Sequence, residues 1–146
     1  MDSTSSRRCR LFIVDNNEDL AWSLAEVLAL EPDIEPVGNW DRGAGALAKA
    51  QEARADVVIL DFRLPDCTAL KLLDDARAGS MPFAILVYSG YLSPDVAAAV
   101  LARGAAGYIT KGGEVDALVQ EIRRAFKALP AAASGAPGSE DSGRVV

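Results

Sequence analysis

The sequence predicts an α/β fold, a single doubly wound (βα)5 unit with a parallel sheet and helices on both faces. Three observations lead there. Short apolar runs recur between segments of helical period, so strand and helix patterns alternate five times along the chain. The runs are continuously apolar rather than alternating, as expected of strands covered on both sides. Half of the 146 residues are hydrophobic and a quarter are charged, enough to build one packed core.

The elements follow in order. Leu11-Phe12-Ile13-Val14 reads as the first strand. Leu20, Leu24, Val27 and Leu28 then share one helical face, after the cap-like Asn16-Asn17 and with Glu18 and Asp19 at the positive end of the dipole. A weaker strand spans Ile34 to Gly38, and Ala44, Leu47, Ala48 and Gln51 form a thin second helix. Val57-Val58-Ile59-Leu60 is the third strand, followed by a helix carrying Leu70, Leu73 and Ala76. Phe83 to Tyr88 is the fourth strand; its helix, with Val96, Val100 and Leu101, opens at Ser93-Pro94 and closes at Gly104. Gly107 to Thr110 is the fifth strand, and Val115, Leu118, Val119, Ile122, Phe126 and Leu129 make the clearest amphipathic stripe. On this reading residues 1–8 are a disordered N-terminus, 9–129 the domain, and 130–146, rich in Pro, Ala, Gly and Ser, a flexible tail or linker.

Composition removes several function classes. Lys plus Arg total 15 against 21 for Asp plus Glu, a net charge of −6 that argues against a general nucleic-acid binder. With no helix-turn-helix expected after Leu129, no nucleic-acid contact through this chain alone is expected. Histidine is absent, which excludes Ser-His-Asp triads and His-based metal sites. The two cysteines, Cys9 and Cys67, make no disulfide framework, and Cys67 reads as an ordinary loop thiol. Trp22 and Trp40 read as packing or partner-surface aromatics. Neither a signal-peptide core nor a membrane-length apolar run is present, so no membrane contact is expected and the cytoplasm is the expected location.

In an open parallel sheet ligands bind beyond the carboxyl ends of the strands. Strand one runs into Asp15, strand three into Asp61, strand four into Ser89 and strand five into Lys111. Singly each has a bland explanation as cap, turn residue or solvated surface. Two carboxylates, a hydroxyl and an ammonium at four equivalent strand ends are hard to assign to chance.

The segments Leu-Phe-Ile-Val-Asp15, Val-Val-Ile-Leu-Asp61-Phe-Arg-Leu-Pro65, Val-Tyr-Ser89-Gly-Tyr and Gly104-Ala-Ala-Gly107-Tyr108-Ile-Thr-Lys111, in this order and spacing, resemble the receiver domain of bacterial two-component response regulators. The resemblance covers about residues 9–129. It implies a flavodoxin-like sheet of strand order 2-1-3-4-5. It further implies Mg²⁺-dependent transfer of a phosphoryl group to Asp61 from a histidine kinase or histidine phosphotransfer protein, in phosphorelay signal transduction rather than enzymatic turnover. Asp15, Asn16, Asp61 and the backbone carbonyl of Arg63 would hold the metal, and Lys111 would pair with the phosphoryl oxygens. Ser89 would bond the new phosphate and shift toward it. Tyr108 would then swing inward and remodel the face of the fourth helix and fifth strand for an unidentified output protein. A homodimer through the last two helices stays open.

The sequence also departs from the family pattern. Asn16 replaces a second acid after strand one, Thr68-Ala69 stands where Asp-Gly is usual, and Gly112-Gly113 follows Lys111 where Pro is usual. These departures favour an alternative, a degenerate receiver that binds its partner whether or not it is phosphorylated. Arg63 is read as shielding an aspartyl phosphate from water. A small aspartyl-phosphate hydrolase is disfavoured, because Asn17 stands where such an enzyme carries its second acid.

Overall fold

The structure, a computed structural model, describes residues 7–90, 93–130 and 144–145. Five strands and five helices alternate: β1 (Cys9–Val14), α1 (Glu18–Leu28), β2 (Ile34–Trp40), α2 (Ala46–Glu52), β3 (Val57–Asp61), α3 (Ala69–Ala78), β4 (Ala84–Ser89), α4 (Pro94–Ala102), β5 (Gly107–Thr110) and α5 (Val115–Ala128). All neighbouring strands pair in parallel, in the order β2-β1-β3-β4-β5, so the predicted fold class and strand order are observed.

Continuous apolarity in the strands has the expected cause. Alternate residues of one strand feed two separate cores, as the period of two requires. Phe12, Val14, Val58, Leu60 and Val87 pack with Ala46 and Ala50 of α2, Leu72 and Leu73 of α3, and Ala97 and Val100 of α4. Leu11, Ile13, Val57, Ile59 and Leu86 pack with Ala21 and Leu28 of α1 and with Leu118, Val119 and Ile122 of α5. Two arginines brace the helices: Arg123 of α5 bonds Glu31 at 2.8 Å and Asp33 at 2.8 Å, and Arg103 after α4 bonds Asp74 of α3 at 2.8 Å.

Some details differ from the sequence reading. The second helix was expected to bury Ala44 and Ala48, but both are exposed, while Ala46 and Ala50 are buried. The helix begins only at Ala46, after Gly45 in a left-handed backbone (φ 83°), so Ala44 lies before it. Val27 of α1 is 39% exposed. At the N-terminal side, Arg7 lies within the segment expected to be disordered, yet it bonds Asp56 at 3.1 Å and lies 5.0 Å from the Phe126 ring centroid. Within the expected tail, Arg144–Val145 form a short strand, β6, parallel to β5. The unpaired edge of β5 offers the backbone partners for it. Residues 1–6, 131–143 and 146 of these terminal segments lie outside the described residues.

Ile122 is fully buried at the centre of the α5 stripe, whereas neighbouring Gln120 is exposed. Ile122→Ala is expected to lower unfolding stability by about 3 kcal/mol and Gln120→Ala by about 0.5 kcal/mol or less, measured by urea denaturation at neutral pH.

Candidate functional site

The C-terminal edge of the sheet gathers the residues read from the sequence. β1 and β3 are adjacent, so the residues that follow or end them, Asp15 and Asp61, emerge side by side, and both are buried. On the other flank Ser89 ends β4 opposite Thr110, and the Lys111 N–H donates to the Ser89 carbonyl at 2.6 Å. That bond turns the Lys111 side chain back over the sheet edge. Its Nζ lies 3.1 Å from Asp15 Oδ2 and 3.3 Å from Asp61 Oδ2, and 5.6 Å from the Tyr88 ring centroid. One ammonium is therefore shared by two buried carboxylates.

The remaining bonds orient those carboxylates. Asp15 Oδ1 accepts from the Asn17 N–H at 2.8 Å, while Asn17 itself caps α1 through the Leu20 N–H at 3.0 Å. Asp61 accepts from the Arg63 backbone N–H. Burial, with the neighbouring charge of Asp15, holds the Asp61 carboxyl above the ordinary carboxylate range, against the opposing pull of Lys111. For Lys111 burial works to lower the pKa, but the bonds and charges of Asp15 and Asp61 outweigh it and hold the ammonium charged.

Ser89 is buried, and among the described residues its hydroxyl makes no hydrogen bond. A buried polar atom without a partner costs about 1–3 kcal/mol, so the position suits a ligand oxygen. Tyr108 is fully buried in the same core cluster as Val87, Ala97 and Val100, so its ring already occupies the inward position. Asn16 is exposed, between Asp15 and the capping Asn17, outside the shared ion pair. The Arg63 side chain is also exposed. Thr68 and Ala69 need no glycine: Thr68 is extended (φ −105°), bridges Arg63, and leads directly into α3. Gly112, by contrast, adopts φ 85°, a turn that proline could not make.

The donor set fits a hard divalent cation. It is all oxygen, two buried carboxylates on adjacent strand ends share a single positive charge, and Mg²⁺ typically binds through one or two carboxylates together with substrate phosphate. No larger acidic, Cys or His cluster occurs among the described residues.

Sequence reasoning missed a cleft of about 260 Å³ beside Asp15, lined also by Glu18, Ala21, Asn39, Trp40, Asp41 and Arg42. Its outer wall is the loop between β2 and α2. Asp66 holds that loop, accepting from the Gly43 N–H at 2.8 Å and the Ala44 N–H at 2.9 Å. The signal in the sequence was the Asp41-Arg42-Gly43-Ala44-Gly45 turn, whose backbone donors need an acceptor from elsewhere.

Comparison with known proteins agrees with this geometry. The response regulator receiver domain family matches residues 11–123, and the chain belongs to that family. Among curated relatives, the DNA-binding transcriptional activator DevR/DosR of Mycobacterium tuberculosis is 30% identical over 143 residues, covering 90% of this chain and 66% of that protein. The nitrate/nitrite response regulator protein NarL of Escherichia coli K12 is 27% identical, covering 79% of this chain and 53% of that protein. This chain thus spans between half and two thirds of the length of these relatives. In fold it is similar to the response regulator domain of Thermotoga maritima CheB, with a TM-score of 0.77 and 24% identity, covering 85% of this chain and all of that one. Receiver domains generally use Mg²⁺. Among the described residues no helix is long and apolar enough to cross a membrane.

The raised Asp61 pKa has a stability consequence. A folded-state value above the unfolded one means that the neutral acid favours the fold below the unfolded value, and that this contribution is lost as pH rises through the folded value. Asp61→Asn is therefore expected to raise the melting temperature by a few degrees at neutral pH. The gain should shrink toward zero as pH falls to about 4, measured by thermal scans across the pH range.

Proposed function

We propose that this chain accepts a phosphoryl group on Asp61 from a histidine kinase or histidine phosphotransfer protein, and that phosphorylation switches a protein-interaction surface. The observation that carries the reading is the Lys111 ammonium shared between Asp61 and Asp15, beside the buried Ser89 hydroxyl, which makes no hydrogen bond among the described residues. An anionic carboxylate attacking an anionic phosphoryl group needs positive charge already in place, and the transition state rewards positioning and electrostatics above all.

In the proposed step the ionised Asp61 oxygen forms a bond to phosphorus as the bond from phosphorus to the donor imidazole nitrogen breaks. The imidazole leaves with the electron pair. Lys111 receives the spreading charge on the phosphoryl oxygens while still held by Asp15, and Ser89 donates its hydroxyl to one of those oxygens. Asp15, Asp61, the Asn16 amide and the Arg63 backbone carbonyl would hold Mg²⁺, which supplies charge neutralisation between the two anions.

The route outward from the site is short. Ser89 pairs with Thr110 and Val87 with Tyr108, so a shift of Ser89 acts on β5 and on the buried tyrosine beneath α4. For this chain alone the proposed output partner is a protein rather than nucleic acid, in keeping with its net charge of −6. The cytoplasm is the proposed location. A homodimer through the α4–β5–α5 face is one form that the switched surface could take.

Two measurements test this. Incubation with acetyl phosphate and Mg²⁺ is expected to add one phosphoryl group by intact mass, and Asp61→Ala to abolish it. A variant that labels like the parent refutes the site. Asn16→Asp restores a carboxylate beside the metal position and is expected to tighten Mg²⁺ binding by roughly fivefold, about 1 kcal/mol at a partly exposed site, in a fluorescence titration. A parent that neither binds Mg²⁺ nor takes up phosphate favours the degenerate-receiver alternative, to which Asn16 points.

A further inference from the structure

We infer that Asp66 is a positioning residue for phosphoryl transfer: by holding the Gly43 and Ala44 amides it sets the outer wall of the cleft that borders the site at Asp15, and with it the charge that an approaching donor meets. The inference rests on the proposed role of Asp61.

The geometry begins at the loop after β3. That loop is closed on itself, with the Leu64 N–H donating to the Cys67 carbonyl at 2.9 Å, the Ala69 N–H to the Phe62 carbonyl at 2.8 Å, and Arg63 bridging Thr68. Its tip, Asp66, reaches across to the loop between β2 and α2, and each carboxylate oxygen takes one backbone N–H. Those two amides hold the Asp66 carboxyl below the ordinary carboxylate range, so it stays an anionic acceptor at neutral pH. Gly43 makes the approach possible, because a Cβ there would overlap Cys67 Sγ.

The loop so held carries the cleft wall. At its base the Asp15 N–H donates to the Trp40 carbonyl at 3.0 Å, and at its tip Asp66 holds it. Between these points lie Trp40, Asp41 and Arg42, facing Glu18 and Asp15 across the cleft. Arg42 bonds Asp41 at 2.9 Å and lies 5.6 Å from the Trp40 ring centroid, so the wall presents a cation beside an otherwise acidic cleft. An anionic donor entering there meets the carboxylates of Asp15, Glu18 and Asp41, and the placement of Arg42 decides how strongly that repulsion is offset. The same Asp66 connects this wall to the loop that begins at Asp61.

The test uses the full chain with acetyl phosphate and Mg²⁺, in which the Asp61 oxygen bonds phosphorus and acetate departs with the electron pair. Initial labelling rates are measured against donor concentration. Asp66→Ala is expected to raise the half-saturating donor concentration roughly fivefold, with the saturating rate and the melting temperature little changed. Gly43→Ala is expected to do the same, because its Cβ would overlap Cys67 Sγ and crowd Asp66 Oδ1 at 3.1 Å, and Gly43→Ala combined with Cys67→Ala to restore part of the parent value. That rescue decides the matter even if Asp66→Ala fails to fold. Parent labelling with unchanged donor dependence in the folded variants overturns the positioning role alone. So does a fall in the saturating rate in step with lost stability. A parent that takes no phosphoryl group at all overturns the reading of Asp61, and the role of Asp66 with it.

Discussion

Two carboxylates buried side by side at the end of a sheet would repel each other and the low-dielectric interior around them. The Lys111 ammonium, 3.1 Å from one and 3.3 Å from the other, makes that arrangement tolerable. Its position depends on the rest of the domain: β5 must lie beside β4 for the Lys111 N–H to reach the Ser89 carbonyl, and β1 beside β3 for the two acids to be neighbours. The compensation is partial. One positive charge serves two acids, and Asp61 remains above the ordinary carboxylate range. Residual negative charge thus stands beside the buried Ser89 hydroxyl, which makes no hydrogen bond among the described residues.

The scaffold around this edge is rigid where the site needs it. Every β3 residue is buried, and apolar cores lie on both sheet faces, so Asp61 ends a strand enclosed by packed side chains. The loops at the same edge are held by hydrogen bonds as well as by packing, with Leu64 buried and Phe62 and Cys67 against the core. Asn17 fixes Asp15, Arg63 fixes Asp61, and Asp66 fixes the neighbouring loop. Chemistry on such a platform depends on a few directional bonds, each open to adjustment without disturbance of the core.

Much of this was legible in the sequence. Continuous apolar runs such as Val57-Val58-Ile59-Leu60 identify strands buried on both faces, because only there are both sets of alternating side chains apolar. The residue types at the strand ends then named Asp15, Asp61, Ser89 and Lys111. Helix limits set by Ser93, Pro94 and Gly104 were equally readable, since caps act through bonds to adjacent residues; the Ser93 hydroxyl accepts from the Val96 N–H at 3.3 Å.

What the sequence by itself determined is therefore the local and periodic part of this protein: which segments are strands and helices, which faces are apolar, and which chemical groups stand at the sheet edge. Only the tertiary structure decided how those groups share charge. The ammonium of Lys111 lies on two acids far away in the chain, Tyr108 is packed inward beneath α4, and Asp66 holds amides of a loop more than twenty residues before it. The buried face of α2, Ala46 and Ala50, belongs with these, since a thin alanine stripe fits more than one face. The physical reason is common to all of them. Hydrogen bonds and ion pairs between distant segments leave no periodic trace in the chain, and become definite only when the packed sheet brings their partners within about 3 Å of each other.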